Sequence, residues 1–95
     1  MYYLKMHERG KSVVTALCDE NLLGNVFEDG EMQLDVSERF YGGKLVTEEE
    51  AVKAMMASDI LNISGKKIVK LALKNKIIRK GDVKRIARVP HAEAF

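Results

Sequence analysis

The chain holds a single cysteine, Cys18, so no disulfide forms within it, and that usage fits a reducing, intracellular setting. It has no run of about 18 apolar residues, so no membrane-spanning helix is expected. Its first residues, Met-Tyr-Tyr-Leu-Lys-Met-His-Glu, lack the basic region and apolar core of a secretory signal, so a cytoplasmic protein is expected. Internal repeats, low-complexity tracts and an evident linker are also missing, which leaves one domain over residues 1–95. No zinc-ligand spacing occurs, and Gly65-Lys66-Lys67 lacks the upstream glycine and the following Ser or Thr of a P-loop. Neither a metal nor a cofactor is expected, and the reading leans away from an enzyme.

One further scarcity is local. Residues 64–95 contain only 2 acidic residues against 10 Lys and Arg, a net of +8. Residues 1–63 contain 12 acidic against 6 basic, a net of −6. The overall +2 hides this asymmetry, which points to an acidic partner docking at one end.

A hydrophobic content of 46% and a charged content of 32% are those of a soluble globular domain. Residues 2–8 and 12–18 are rich in β-formers, and Gly10 leading a two-residue loop suits a type II′ hairpin turn. That register puts Leu4, Met6, Val13 and Leu17 on a core face, and Tyr3, Lys5, His7, Val14, Ala16 and Cys18 on a mixed one. A second hairpin is expected over Leu22–Glu28 and Glu31–Val36, with Asp29-Gly30 as a type I′ loop. Its core face would carry Leu23, Asn25, Phe27, Met32, Leu34 and Val36. Phe40-Tyr41-Gly42-Gly43 reads as a bent connection in which Phe40 anchors the loop and the glycines supply unusual φ values. The competing reading makes Tyr41 an exposed stacking surface for a base.

Thr47-Glu48-Glu49-Glu50 is a capping box opening a helix that runs to about Ser58, with Ala51, Val52, Met55 and Met56 on its buried side. Ile60–Ile63 is short and apolar, an inner strand or an extended link. Ser64 is a plausible N-cap for a second helix over about residues 64–76, with Ile63 and Ile68 as a hydrophobic staple. In that helix Ile68, Val69, Leu71 and Ala72 share one side, and Lys66, Lys67, Lys70 and Lys74 share the other. Val83–Arg88 reads as a strand or a helical turn, and His91–Phe95 after Pro90 as an edge strand. The fold class is α+β: a small, mostly antiparallel sheet from two N-terminal hairpins and C-terminal strands, with two helices.

Lys66 and Lys67 stand in the first turn of a helix, where the dipole disfavours cations. An anion held by free N–H groups near Gly65 would resolve that conflict, while an ordinary solvated lysine face is the competing reading. Arg79, Lys80, Arg85 and Arg88 extend the basic surface. Such a patch neutralises phosphates without reading sequence, and with no groove-reading motif it suits structured RNA or a ribonucleoprotein better than specific duplex DNA. A mesh of salt bridges to the acidic N-terminal half would account for the same charges. His7, Cys18, Asp19 and His91 are the candidates for a metal or nucleophile site, and His7, Cys18 and His91 for a small catalytic or ligand site. Such a site requires the fold to bring the three together.

Lys5-Met6-His7-Glu8, Cys18-Asp19-Glu20, Leu23-Gly24, Phe40-Tyr41, Asn62-Ile63 with Gly65, and Val89-Pro90-His91-Ala92 occur in this order along the chain. In these segments the chain resembles the small archaeal family catalogued as domain of unknown function 424. The resemblance implies an archaeal cytosolic protein of this size and supplies no activity. It also implies that His7, Asn62, Gly65 and His91 belong to one functional surface. The functional expectation is a non-enzymatic RNA- or ribonucleoprotein-associated module. An interaction module docking on an acidic protein, including by self-association, is the alternative.

Overall fold

In the computed structural model, which describes residues 1–95, the first hairpin has the register its turn dictates. β1 (Tyr2–Arg9) pairs antiparallel with β2 (Ser12–Asp19), with Arg9 opposite Ser12. β3 (Val26–Asp29) and β4 (Met32–Asp35) form the second hairpin, but its loop is Gly30-Glu31, not Asp29-Gly30. The shift places glycine first in the loop, as Gly10 stands in the first hairpin, so only the glycine carries positive φ, +61° and +64° respectively. It also sets Phe27 opposite Leu34 while keeping every residue on its expected face.

Ser37 caps a short helix, α1 (Glu38–Tyr41), in place of the bent connection expected there. The following glycines have no positive φ; a Cβ at Gly43 would collide with the Leu4 carbonyl oxygen, because β5 (Lys44–Val46) lies directly against β1. α2 (Glu48–Met56) has both hydrogen bonds of the Thr47–Glu50 capping box. It buries Ala51, Ala54 and Met55, whereas Met56, expected inside, is 70% exposed. β6 (Ile60–Ser64) is the inner strand, and α3 (Lys66–Lys74) buries the expected Ile68, Val69, Leu71 and Ala72. A Schellman motif ends α3: the Ile77 N–H donates to the Ala72 carbonyl at 2.9 Å and the Lys76 N–H to the Leu73 carbonyl at 3.0 Å, with Lys76 at φ +57°. β7 (Val83–Ile86) and β8 (Val89–Ala94) close the chain as a hairpin whose loop residues, Ala87 and Arg88, both have positive φ.

The six-stranded sheet runs β5-β1-β2-β6-β8-β7, antiparallel except where β6 lies parallel to β2. The sheet is therefore larger than expected. β8 is an inner strand, not an edge, and the β3–β4 hairpin stays outside the sheet as a two-stranded unit. The physical reason lies in β2. Ala16, Leu17 and Cys18 are completely buried, so this strand needs neighbours on both edges and cover on both faces. β6, with Leu61 and Ile63 buried, takes the free edge.

Two layers supply the cover. α2 and α3 lie on the face of Leu4, Leu17, Leu61, Ile63 and Ala92, forming the main core with Val46, Met55, Ile68 and Leu71. The β3–β4 hairpin and α1 cover the other face, where Leu34, Val36 and Tyr41 pack on Ala16, Cys18 and Ile86. Met6, expected in the core, is 53% exposed.

Candidate nucleic-acid interface

α3 begins at the end of β6, and its first turn is capped from a distance. The Asp19 carboxylate, at the end of β2, accepts from the Lys67 N–H at 2.9 Å and the Ile68 N–H at 2.8 Å. Asp19 is only 5% exposed. Ser64 is therefore not the N-cap; Gly65 holds that position, with φ +128° and ψ 153° and no side-chain cap of its own. That backbone region is essentially open to glycine alone. The contact with Asp19 adds a second demand, since a Cβ at Gly65 would fall 2.5 and 2.6 Å from the two carboxylate oxygens. The Gly65 N–H donates to the Pro90 carbonyl at 2.9 Å, which ties the helix entry to β8. The anion expected at this terminus is thus a side chain of the protein. Gly65 and the N–H groups behind it are not open to an external anion, and the misfit of Lys66 and Lys67 with the dipole is resolved internally.

The lysines themselves remain free. No Lys or Arg has a carboxylate within 4.0 Å; the one contact of that kind in the chain is between His91 and Glu93. The competing reading, a mesh of salt bridges to the acidic half, does not hold. Instead α3 and the β7–β8 hairpin enclose a groove of about 530 Å³. Lys66 and Lys70 reach it from the helix, Lys80 from the 3-10 turn Lys80–Asp82, and Arg85 and Arg88 from the hairpin. Val69, Leu73 and Val83 are its apolar wall, and Pro90 also lines it. Lys66, Lys67 and Arg88 also line a wider cleft of about 830 Å³ at the start of α3. Lys74 and Arg79 are exposed but line neither.

The other candidates lie on the opposite face of the sheet. Cross-strand register sets Tyr3, Cys18, Ser64, His91 and Lys84 in one row. Ser64 Oγ is 2.9 Å from the Tyr41 hydroxyl and 2.9 Å from His91 Nδ1, and His91 Nε2 is 3.6 Å from the Glu93 carboxylate. In the tautomer that carries its proton on Nε2, Nδ1 accepts from Ser64 and Ser64 accepts from Tyr41. Burial pushes the Tyr41 phenol up to about 12, so it stays a protonated donor. Ser64 is fully buried, which denies it to a substrate, and the chain of hydrogen bonds ties α1 to β6 and β8. Tyr41, at 2% exposure, offers no stacking surface.

His7 does not join this group. It lies four residues along β1 from Tyr3, the neighbour of Cys18, or roughly 13 Å at strand spacing. Its Nε2 donates to the Phe40 carbonyl at 2.8 Å, and its ring stacks on Phe40 at 4.9 Å. Cys18 and His91 are separated by Ser64, so the His7–Cys18–His91 site is not assembled. Burial first, then Asp19, pushes the Cys18 thiol up to about 12, which leaves it protonated and inert. Asn62 shares the face of His7, Ser64 and His91, in the row of Ala16 and Glu93, and is half-buried. The sequence reading missed Asp19 as a cap and Ser64 as a buried bridge. No local pattern signals either, because their partners come from other strands and helices.

A mixed six-stranded sheet covered by two helices on one face and a hairpin on the other, with an unneutralised basic groove at one end, defines a small α+β protein. The chain belongs to the family described as protein of unknown function (DUF424), whose model matches residues 6–95. It is similar in structure to an uncharacterized conserved protein from Methanopyrus kandleri. That crystal structure is 28% identical in sequence, has a TM-score of 0.82, and the match covers 98% of this chain and 89% of the other. No curated protein matches the chain. No helix is long and apolar enough to cross a membrane.

Proposed function

We propose that the protein is a cytosolic, non-enzymatic module that binds RNA or a ribonucleoprotein surface through the groove between α3 and the β7–β8 hairpin. The observation that carries this reading is the convergence of Lys66, Lys70, Lys80, Arg85 and Arg88 on one groove with no carboxylate paired to any of them. A chain that gathers five like charges without neutralising them lowers its own stability by self-repulsion. An external polyanion removes that repulsion and gains from counterion release.

Five phosphate contacts give a slope of about −3.5 to −4.5 in a plot of log affinity against log salt, a loss of roughly a hundred-fold or more between about 50 and 200 mM. Binding of labelled structured RNA by the wild type should show that slope. The Lys66→Glu/Lys70→Glu/Arg85→Glu variant should bind far more weakly with a flatter slope. Absence of salt-sensitive RNA binding at low salt refutes the reading.

The apolar wall of Val69, Leu73 and Val83 beside the cations favours a second reading, an acidic protein whose helix presents both apolar and acidic residues. A partner retained by the groove after nuclease treatment, and lost from the triple variant, selects that alternative.

A further inference from the structure

We infer that the wider cleft at the start of α3 receives one unpaired nucleobase of a single-stranded RNA whose backbone continues along the basic groove. This rests on the reading of the groove above. The cleft and the groove share Lys66, Arg88 and Pro90, so they are two compartments of one channel. Their linings differ in kind. The groove is cationic with an aliphatic wall and has no aromatic or carboxylate. The cleft adds Tyr3, with Met1, Leu22 and Val89, and also Glu20, Asn21 and Asp19, whose carboxylate is already taken by the first turn of α3.

Tyr3 is half-buried and packs against the core beneath the β3–β4 hairpin, so it is a pre-positioned platform that loses little entropy when a flat ring stacks on it. Glu20 repels phosphate. The phosphates are therefore confined to the Lys66, Lys67 and Arg88 side, and the uncharged base is directed toward Tyr3, Glu20 and Asn21. Those two polar side chains offer a carboxylate acceptor and an amide to a base edge. A duplex keeps its bases stacked inside and has nothing to place in such a cleft, whereas an unpaired base has a free π-face. Tyr41, the aromatic singled out in the sequence, is buried and unavailable; Tyr3 is the aromatic that lines one cleft with Lys66, Lys67 and Arg88.

The test compares three ligands with equal phosphates at fixed salt: a short single-stranded RNA, the same strand with abasic sites, and the corresponding duplex. Wild type should prefer the single strand to the abasic strand by roughly five- to a hundred-fold, the range of one aromatic–base stack. Tyr3→Leu should abolish that preference without changing affinity for the abasic strand, and Tyr3→Phe should retain it. A 2-aminopurine base in the strand should change its fluorescence on binding to wild type, a readout that requires no variant. Equal binding of intact and abasic strands overturns the base cleft while leaving the phosphate groove standing. Equal binding of duplex and single strand does the same. No binding of any of the three overturns the groove as well.

Discussion

The entry to α3 makes a sharp energetic prediction. Replacing Asp19 by Ala removes the acceptor of two backbone N–H groups, at 2.9 and 2.8 Å, in a position that is 5% exposed. Each hydrogen bond to a charged group contributes about 1.5–3 kcal/mol, but losing the carboxylate also removes its own desolvation cost, and water can reach part of the gap. Loss of an ordinary exposed cap costs about 0.5–2 kcal/mol. The burial of this one raises the expectation to about 2–4 kcal/mol, a large share of the roughly 5–14 kcal/mol of a domain this size. The melting temperature should fall by roughly 10–30 °C. Gly65→Ala should be comparably damaging for two separable reasons: a backbone at φ +128° and the Cβ overlap with the Asp19 carboxylate. In the double variant the overlap is gone and only the backbone strain remains. The cycle, followed by circular dichroism in urea, should therefore be sub-additive by about 1–3 kcal/mol. Asp19→Ala within about 0.5 kcal/mol of wild type, or an additive cycle, refutes the long-range cap.

Four further outcomes follow from particular residues. Lys76→Gly, at the left-handed position of the Schellman motif, should stabilise the protein by up to about 1 kcal/mol in the same urea titration. Thr15 Oγ1 is buried without a hydrogen-bond partner, so Thr15→Val should be neutral or stabilising by about 1 kcal/mol in thermal melts. The Glu50 carboxyl is held below its ordinary 4.5 by hydrogen bonds from Thr47. Its contribution is present above that ordinary value and is lost as pH falls through the lowered one, so Thr47→Ala should lower the melting temperature at neutral pH and reduce the acid dependence of stability. Burial pushes the Cys18 thiol up from 9.0 and the Tyr41 phenol up from 10.0, each to about 12. Their contributions are complete below the ordinary values and decline as pH rises toward 12, so pH-dependent melts should show an alkaline loss of stability.

Adjacent residues were enough to determine the first hairpin, because Gly10 selects the turn and alternation then assigns Leu4 and Leu17 to one face and Tyr3 and Cys18 to the other. They likewise determined the α2 capping box, the buried side of α3, the α+β class and the basic character of the C-terminal third. All of these are short-range rules, read within one turn or one strand. What only the tertiary structure decided involves partners far apart in sequence. Asp19 caps a helix 48 and 49 residues away, and Ser64, a credible local cap, bridges Tyr41 and His91 instead. β6 enters parallel to β2 because a strand buried on both faces has to fill both edges, and this forces the β3–β4 hairpin out of the sheet. The same arrangement carries His7 away from Cys18 and folds the β7–β8 hairpin against α3. Scattered lysines and arginines thereby become one groove, since charges on separate elements have no common periodicity and converge only when the sheet sets those elements side by side.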